Sequence, residues 1–196
     1  MVTQPPVDRP AARLRAGRDN LARLDAFEDG LGARVRARIP EAVLEMFARK
    51  NEMSWIDVEH DRHLASAIVE ELGEERAVEY FRWLMTQMLD TPLLRASWTA
   101  AVRVFGLSPA TLVRAVPVAW PAVFRNFGIP KVGVATAQSA KLELVQVPED
   151  VLQVPAYLTA FGGLFAGLID FCDARGECDA QLDVDQRRMG FTLRWQ

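Results

Sequence analysis

Hydrophobic positions recur three and four residues apart over the first two thirds of the chain, then alternate with polar ones over most of the remainder. Leu14, Leu21, Leu24 and Phe27 stand among arginines and predict a weakly amphipathic helix, interrupted by Gly30 and Gly32. Val43, Leu44, Met46 and Phe47 predict the next helix, with Pro40 near its start, where a missing N–H costs nothing. Asn51 to Asp57 reads as a loop. Asp57 then caps a helix carrying Leu64, Ile68 and Leu72 and stopped by Gly73. Glu74 to Asp90 holds the broadest apolar stripe: Val78, Phe81, Leu84, Met85 and Leu89. Thr91-Pro92 opens a helix through Leu94, Trp98, Val102 and Phe105, ended by Gly106. Ser108-Pro109 opens another to about Val116, where Pro117 predicts a bend or break. A last segment holds Trp120, Phe124 and Phe127 and ends at Gly128.

The period then changes. Val132 and Val134 alternate with small residues, and Leu142 and Leu144 alternate with Lys141, Glu143 and Val145, giving a hairpin that turns near Gln138-Ser139. A helix follows from about Ala156 to Ala174, closed by Arg175-Gly176. Cys178, Ala180, Leu182 and Val184 alternate with Asp179, Gln181, Asp183 and Asp185. Met189, Phe191, Leu193 and Trp195 alternate with Gly190, Thr192 and Arg194, making a second hairpin. The fold class is therefore α+β: an N-terminal helical layer followed by a four-stranded antiparallel sheet built as strand pair, helix, strand pair. Residues 33–196 form one domain. Residues 1–32 precede it as a loose tail over Met1–Pro10 and the weakly amphipathic helix.

Composition narrows the classes. Of 196 residues half are hydrophobic and a quarter charged, enough for one packed core. The net charge of −3 offers no basic field for nucleic acid. No apolar run is long enough to span a bilayer, and the first twenty residues lack an apolar signal core, so cytoplasmic residence is expected. The bias toward Ala, Val, Leu and Arg is that of a high-GC bacterial genome. Cys172 and Cys178, two thiols only, read as reduced core residues.

The run Ser108-Pro109-Ala110-Thr111-Leu112-Val113-Arg114, then Trp120 and Phe124-Arg125-Asn126-Phe127-Gly128, then strands, helix and strands closing on Trp195, resembles a myxobacterial paralogous family of unknown function. That family is similar in layout to the 4-vinyl reductase domain, TRAPP-type trafficking subunits and haem–nitric-oxide-binding domains. The resemblance covers about Glu41 to Trp195 and implies a layout more than a chemistry. It implies that haem-binding relatives hold the group with a histidine late in the helical layer and a Tyr-x-Ser-x-Arg cluster near the sheet. Here no histidine follows His63 and no such cluster occurs, so no haem and no other cofactor is expected. In the other relatives the glycine-bearing helix forms an apolar cavity or a dimer face, and Phe161-Gly162-Gly163-Leu164-Phe165-Ala166-Gly167 keeps that feature.

Candidate sites follow from the residues themselves. Glycine inside a helix costs about 1 kcal/mol relative to alanine. Ala160, Gly163 and Gly167 fall on one face, beside Phe161 and Phe165. Either the helix lies close to the sheet there, or the face leaves a groove for an apolar small molecule. His60 and His63 have a spacing that metal sites use, with Asp57, Glu59 and Asp61 nearby. The fragment Glu59-His60-Asp61-Arg62-His63 matches no zincin pattern, and it reads as a solvated, charged first turn with no metal expected. Trp55, after Ser54 in a loop, is the candidate exposed anchor for an interface, with Arg125 as a second interface candidate. Arg114, Arg125, Arg187 and Arg188 could hold an anion, but dispersed arginines read as solvated. Gly162-Gly163 lacks the Lys-Ser/Thr of a phosphate loop, and Asp183 and Asp185 share an outward strand face. No nucleophile–histidine pairing is visible, so no catalytic residue is assigned. The expectation is a non-enzymatic regulatory or protein-interaction module that self-associates or docks a protein partner. The alternative is a small-ligand sensor with an apolar cavity beside the helix over 156–174.

Overall fold

The computed structural model describes Pro6 and residues 8–48, 54–89 and 91–196. The expected loose tail over Met1–Pro10 and the expected loop from Asn51 fall in part outside these residues. A helical layer comes first: α1 (Leu14–Phe27), α2 (Leu31–Arg38), α3 (Glu41–Phe47), α4 (Val58–Leu72), α5 (Glu74–Leu89), α6 (Pro92–Phe105) and α7 (Pro109–Val123). Capping follows the sequence signals. The Asp57 carboxylate accepts from the Glu59 N–H at the start of α4, and the Ser108 hydroxyl accepts from the Thr111 N–H at the start of α7. Gly73 and Gly106 stop α4 and α6 with positive φ.

Three short strands tie this layer together. β1 (Ala11–Arg13) lies between β2 (Trp55–Asp57) and β3 (Phe124–Arg125), antiparallel to both. They replace the loop expected before Asp57 and the end of the last helical segment. Trp55 is half-buried here, with the Arg13 guanidinium 3.8 Å above its ring and that of Arg125 at 5.1 Å. A further difference lies in α7, which runs unbroken through Pro117 and Pro121. An interior proline removes a hydrogen bond at a cost of about 3 kcal/mol. Burial of Leu112, Val113, Val116 and Trp120 on the same helix offsets it.

The remaining elements are β4 (Ile129–Ala135), β5 (Ser139–Val145), the short α8 (Glu149–Leu152), α9 (Pro155–Asp170), β6 (Gly176–Asp183) and β7 (Arg188–Trp195). The sheet is antiparallel in the order β4-β5-β7-β6, with Leu142 opposite Phe191 and Phe191 opposite Ala180. Ala140, Leu142, Leu144, Met189, Phe191, Leu193 and Trp195 are buried on the inner face. On the outer face Arg194 pairs with Glu177 and Asp179, and Arg188 with Glu143 and Asp183. β6 is an edge strand, and the apolar alternation expected there ends early: Leu182 and Val184 are exposed.

α9 lies between this sheet and α5. Gly162 faces the sheet, where an added Cβ would stand 3.3 Å from the Ala180 Cβ. Gly163 and Gly167 face the other way. A Cβ on Gly163 would meet the Val78 carbonyl oxygen and the Phe81 Cβ at 2.7 Å. The close approach anticipated from the glycines is therefore made to α5 rather than to the sheet. Arg82 of α5 clamps Asp170 of α9 in a bidentate ion pair at the same level. Enclosed on both sides, α9 presents no free glycine face for self-association.

Buried side chains divide into two cores. One joins the sheet, α9 and α7 around Phe127, Phe161, Phe165 and Phe191. The other joins α1 to α5 around Leu24, Leu31, Ile68 and Tyr80. Leu14, Leu21 and Leu24 of α1 belong to this second core, so the first helix packs with the rest of the layer.

Candidate functional site

Where the two cores meet, packing is incomplete. A cavity of about 160 Å³ opens between α1, α4, α5, α6, α7 and α9. Its walls are apolar: Ala16 and Gly17 of α1, Leu64 and Ala65 of α4, Phe81, Leu84 and Met88 of α5, Leu94 and Trp98 of α6, Leu112, Ala115, Val116 and Ala119 of α7, and Phe161, Leu164 and Phe165 of α9. Its volume is close to the roughly 150 Å³ of an apolar cavity that takes up benzene, but this space is partly open to the surface rather than sealed. Small residues create the room. Ala16 of α1, Ala65 of α4 and Ala115 and Ala119 of α7 line it where neighbouring turns carry leucine, valine or tryptophan, whereas the space beside Gly17 is filled by the Phe47 ring.

Polar groups reach the wall at few points. Asn20 of α1 accepts from the Tyr80 hydroxyl through its side-chain oxygen. Asp61 of α4 accepts from the Tyr157 hydroxyl of α9 at 3.0 Å through Oδ2. Asp61 and Tyr157 both line the cavity. Burial pushes the Asp61 carboxyl up to about 6, and the Tyr157 hydrogen bond pulls against that rise. Tyr157 itself is raised well above the ordinary tyrosine range, first by burial and then by the Asp61 charge.

The raised Asp61 value carries a stability penalty with a definite sign. Between the ordinary carboxyl range near ~4 and the folded value of about 6, the folded chain keeps a proton that the unfolded chain has released. Stability therefore falls as pH rises through that window, and the full penalty persists above it. Asp61→Asn keeps an acceptor for Tyr157 and removes the charge. We expect it to stabilise the protein by about 2 kcal/mol at pH 8 and to change little at pH 4. Urea unfolding of both proteins at the two pH values measures this, and a variant equally stabilised at both would remove the linkage.

The residues singled out from sequence are dispersed. Phe161 and Phe165 line the cavity; Ala160, Gly163 and Gly167 lie elsewhere on α9, the two glycines against α5. Trp55 and Arg125 sit at the small sheet, and the Arg125 guanidinium donates to the Pro6 carbonyl. His60 and His63 lie on α4 outside the cavity wall, and His63 is lowered by burial and by Arg62. Among the described residues no three His, Cys, Asp or Glu side chains gather as a metal site. Burial pushes Cys172 up to about 11 and Cys178 to about 12, so neither is a reactive thiolate at neutral pH. Asp61 escaped notice as a site residue, yet a signal exists. It stands three residues before Leu64 and seven before Ile68, on the apolar stripe of α4, while Glu59 and Arg62 point outward.

No family model matches this chain, and no curated protein matches it. Solved structures do. An Fe(II) unliganded H-NOX protein from K. algicida aligns over 94% of this chain and 96% of its own, with a TM-score of 0.63 and 10% identity. A mutant H-NOX from T. Tengcongensis aligns over 94% and 97%, with a TM-score of 0.53 and 12% identity. A trafficking protein particle complex subunit 3 from Naegleria fowleri, covalently bound to palmitic acid, aligns over 71% and 95%, with a TM-score of 0.47 and 11% identity. At these identities the two H-NOX matches establish a shared fold.

A haem group does not fit the cavity. α6 and α7, which form one wall, contain no histidine, and the histidines of α4 lie off the wall. Tyr157 is committed to Asp61 and held in its neutral form, the opposite of a tyrosinate ligand. The space, about 160 Å³, is also below the ~300–1,000 Å³ typical of drug-sized ligands.

Proposed function

We propose that this chain is a non-enzymatic, cytoplasmic sensor module that takes a small apolar molecule into the cavity between its two cores. The cavity itself carries the reading: a well-packed domain of this size keeps few voids larger than a water molecule. Here about 160 Å³ stays open behind walls of alanine, leucine and aromatic side chains. The fold shared with H-NOX proteins supports a domain of sensor type while leaving the ligand to be set by this chain's own residues. An occupant would touch α1, α4, α5, α6, α7 and α9 together, so binding would bias how the helical layer sits on α9.

Toluene is a suitable probe. We expect it, near saturation, to raise the melting temperature by about 2–4 °C for each kcal/mol of binding stabilisation. Ala115→Leu, which fills the cavity from α7, should abolish that rise. A toluene response that survives the filling substitution would place the probe elsewhere and sink the reading.

A protein-interaction module is the second reading. Val104 and Phe105, each 72% exposed, and Leu107 favour it as an apolar patch around the end of α6. Light scattering across concentration tests it, and a strictly monomeric chain would count against self-association.

A further inference from the structure

We propose that Asp61 makes the cavity selective for small apolar molecules that carry a protonated amine. The inference rests on the ligand-sensor reading and adds the chemical class of the ligand. Apart from Tyr157, Asp61 is the one ionisable side chain among the described residues of the cavity wall. Lysine, arginine and histidine are absent from that wall.

The carboxylate is half provided for. Tyr157 donates to Oδ2, whereas Oδ1 accepts no hydrogen bond and no ion pair from the described residues. The charged groups around it do not fill the gap. Asp57 is engaged in capping α4 and pairing Arg9, and Arg62 is exposed on the outer side of the helix. A carboxylate facing an apolar space is costly unless a cation or a set of donors completes it. An ammonium group on a compact hydrocarbon body supplies both the donor and the charge. The body would then fill the space bounded by Leu64, Ala65, Phe161 and Phe165. A carboxylate ligand of the same shape would meet Asp61 with like charge and be rejected.

Calorimetric titration at pH 7.5 with benzylamine, toluene and benzoate, against the wild type and Asp61→Asn, tests this. We expect benzylamine to bind the wild type and to lose at least about tenfold in affinity in Asp61→Asn. Toluene should bind both proteins alike, and benzoate neither. A second measurement needs no variant: lowering the pH from 7.5 to 5 should weaken benzylamine binding to the wild type and leave toluene unchanged. Toluene binding with benzylamine silent, or with benzylamine equally tight in both proteins, overturns the amine assignment and leaves the sensor reading standing. Failure of both probes in the wild type overturns both.

Discussion

Gly167→Ala is expected to lower stability by about 3 kcal/mol or more, although alanine is the better helix former. Helix propensity alone favours the substitution by about 1 kcal/mol. The packing opposes it more strongly. A Cβ at position 167 would lie 2.4 Å from the Arg82 carbonyl oxygen and 2.6 Å from the Met85 Cβ. Those atoms belong to the backbone and first side-chain carbon of α5, so no rotamer change moves them aside. α5 would have to retreat from α9, stretching the Arg82–Asp170 clamp. Gly162→Ala is the matched control on the same helix. Its new methyl meets a neighbour at 3.3 Å on the sheet side, so the change should stay within about 1 kcal/mol of neutral. Denaturant midpoints of the two variants decide the matter, and equal stabilities would refute the close approach of α5.

Phe161→Ala is expected to cost about 3–5 kcal/mol and to enlarge the cavity. Phe161 is 2% exposed and touches the rings of Trp120, Phe127, Tyr157 and Phe165. Removing it takes a wall from the cavity and a hub from the aromatic cluster in one step. The loss carries a signature that ordinary core damage lacks. A bicyclic probe such as naphthalene should restore melting temperature in the variant more than in the wild type, because the added space is contiguous with space already present. A variant equally destabilised but indifferent to naphthalene would show that the ring is structural and the cavity closes over its absence.

Much of the architecture could be read from spacing alone. Long stripes such as Val78 to Leu89, and the strict alternation from Met189 to Trp195, carry their own geometry, and both became the elements they predict. The small sheet could not be read so. Its strands are two or three residues long, too short for any period to register, and their partners lie far away in sequence. Pro117 misled because local chemistry argues for a break, while the burial that holds α7 together is set by distant elements. The glycines of α9 announced a close neighbour but not its identity; sheet and helix ask the same of a glycine face. The cavity was hidden for a related reason. Ala65, Ala115 and Ala119 look like ordinary helix residues until six helices converge and none fills the middle. Asp61 was masked by the charged company of Glu59 and Arg62, which face outward.

The placement of β1 has a consequence for chain growth. Ala11 pairs with Asp57 on one side and Arg125 on the other, so β1 waits for segments made well after it before both its edges are covered. A nascent chain halted before Phe124 would leave one edge of β1 uncovered, and an uncovered strand edge is open to pairing with another chain.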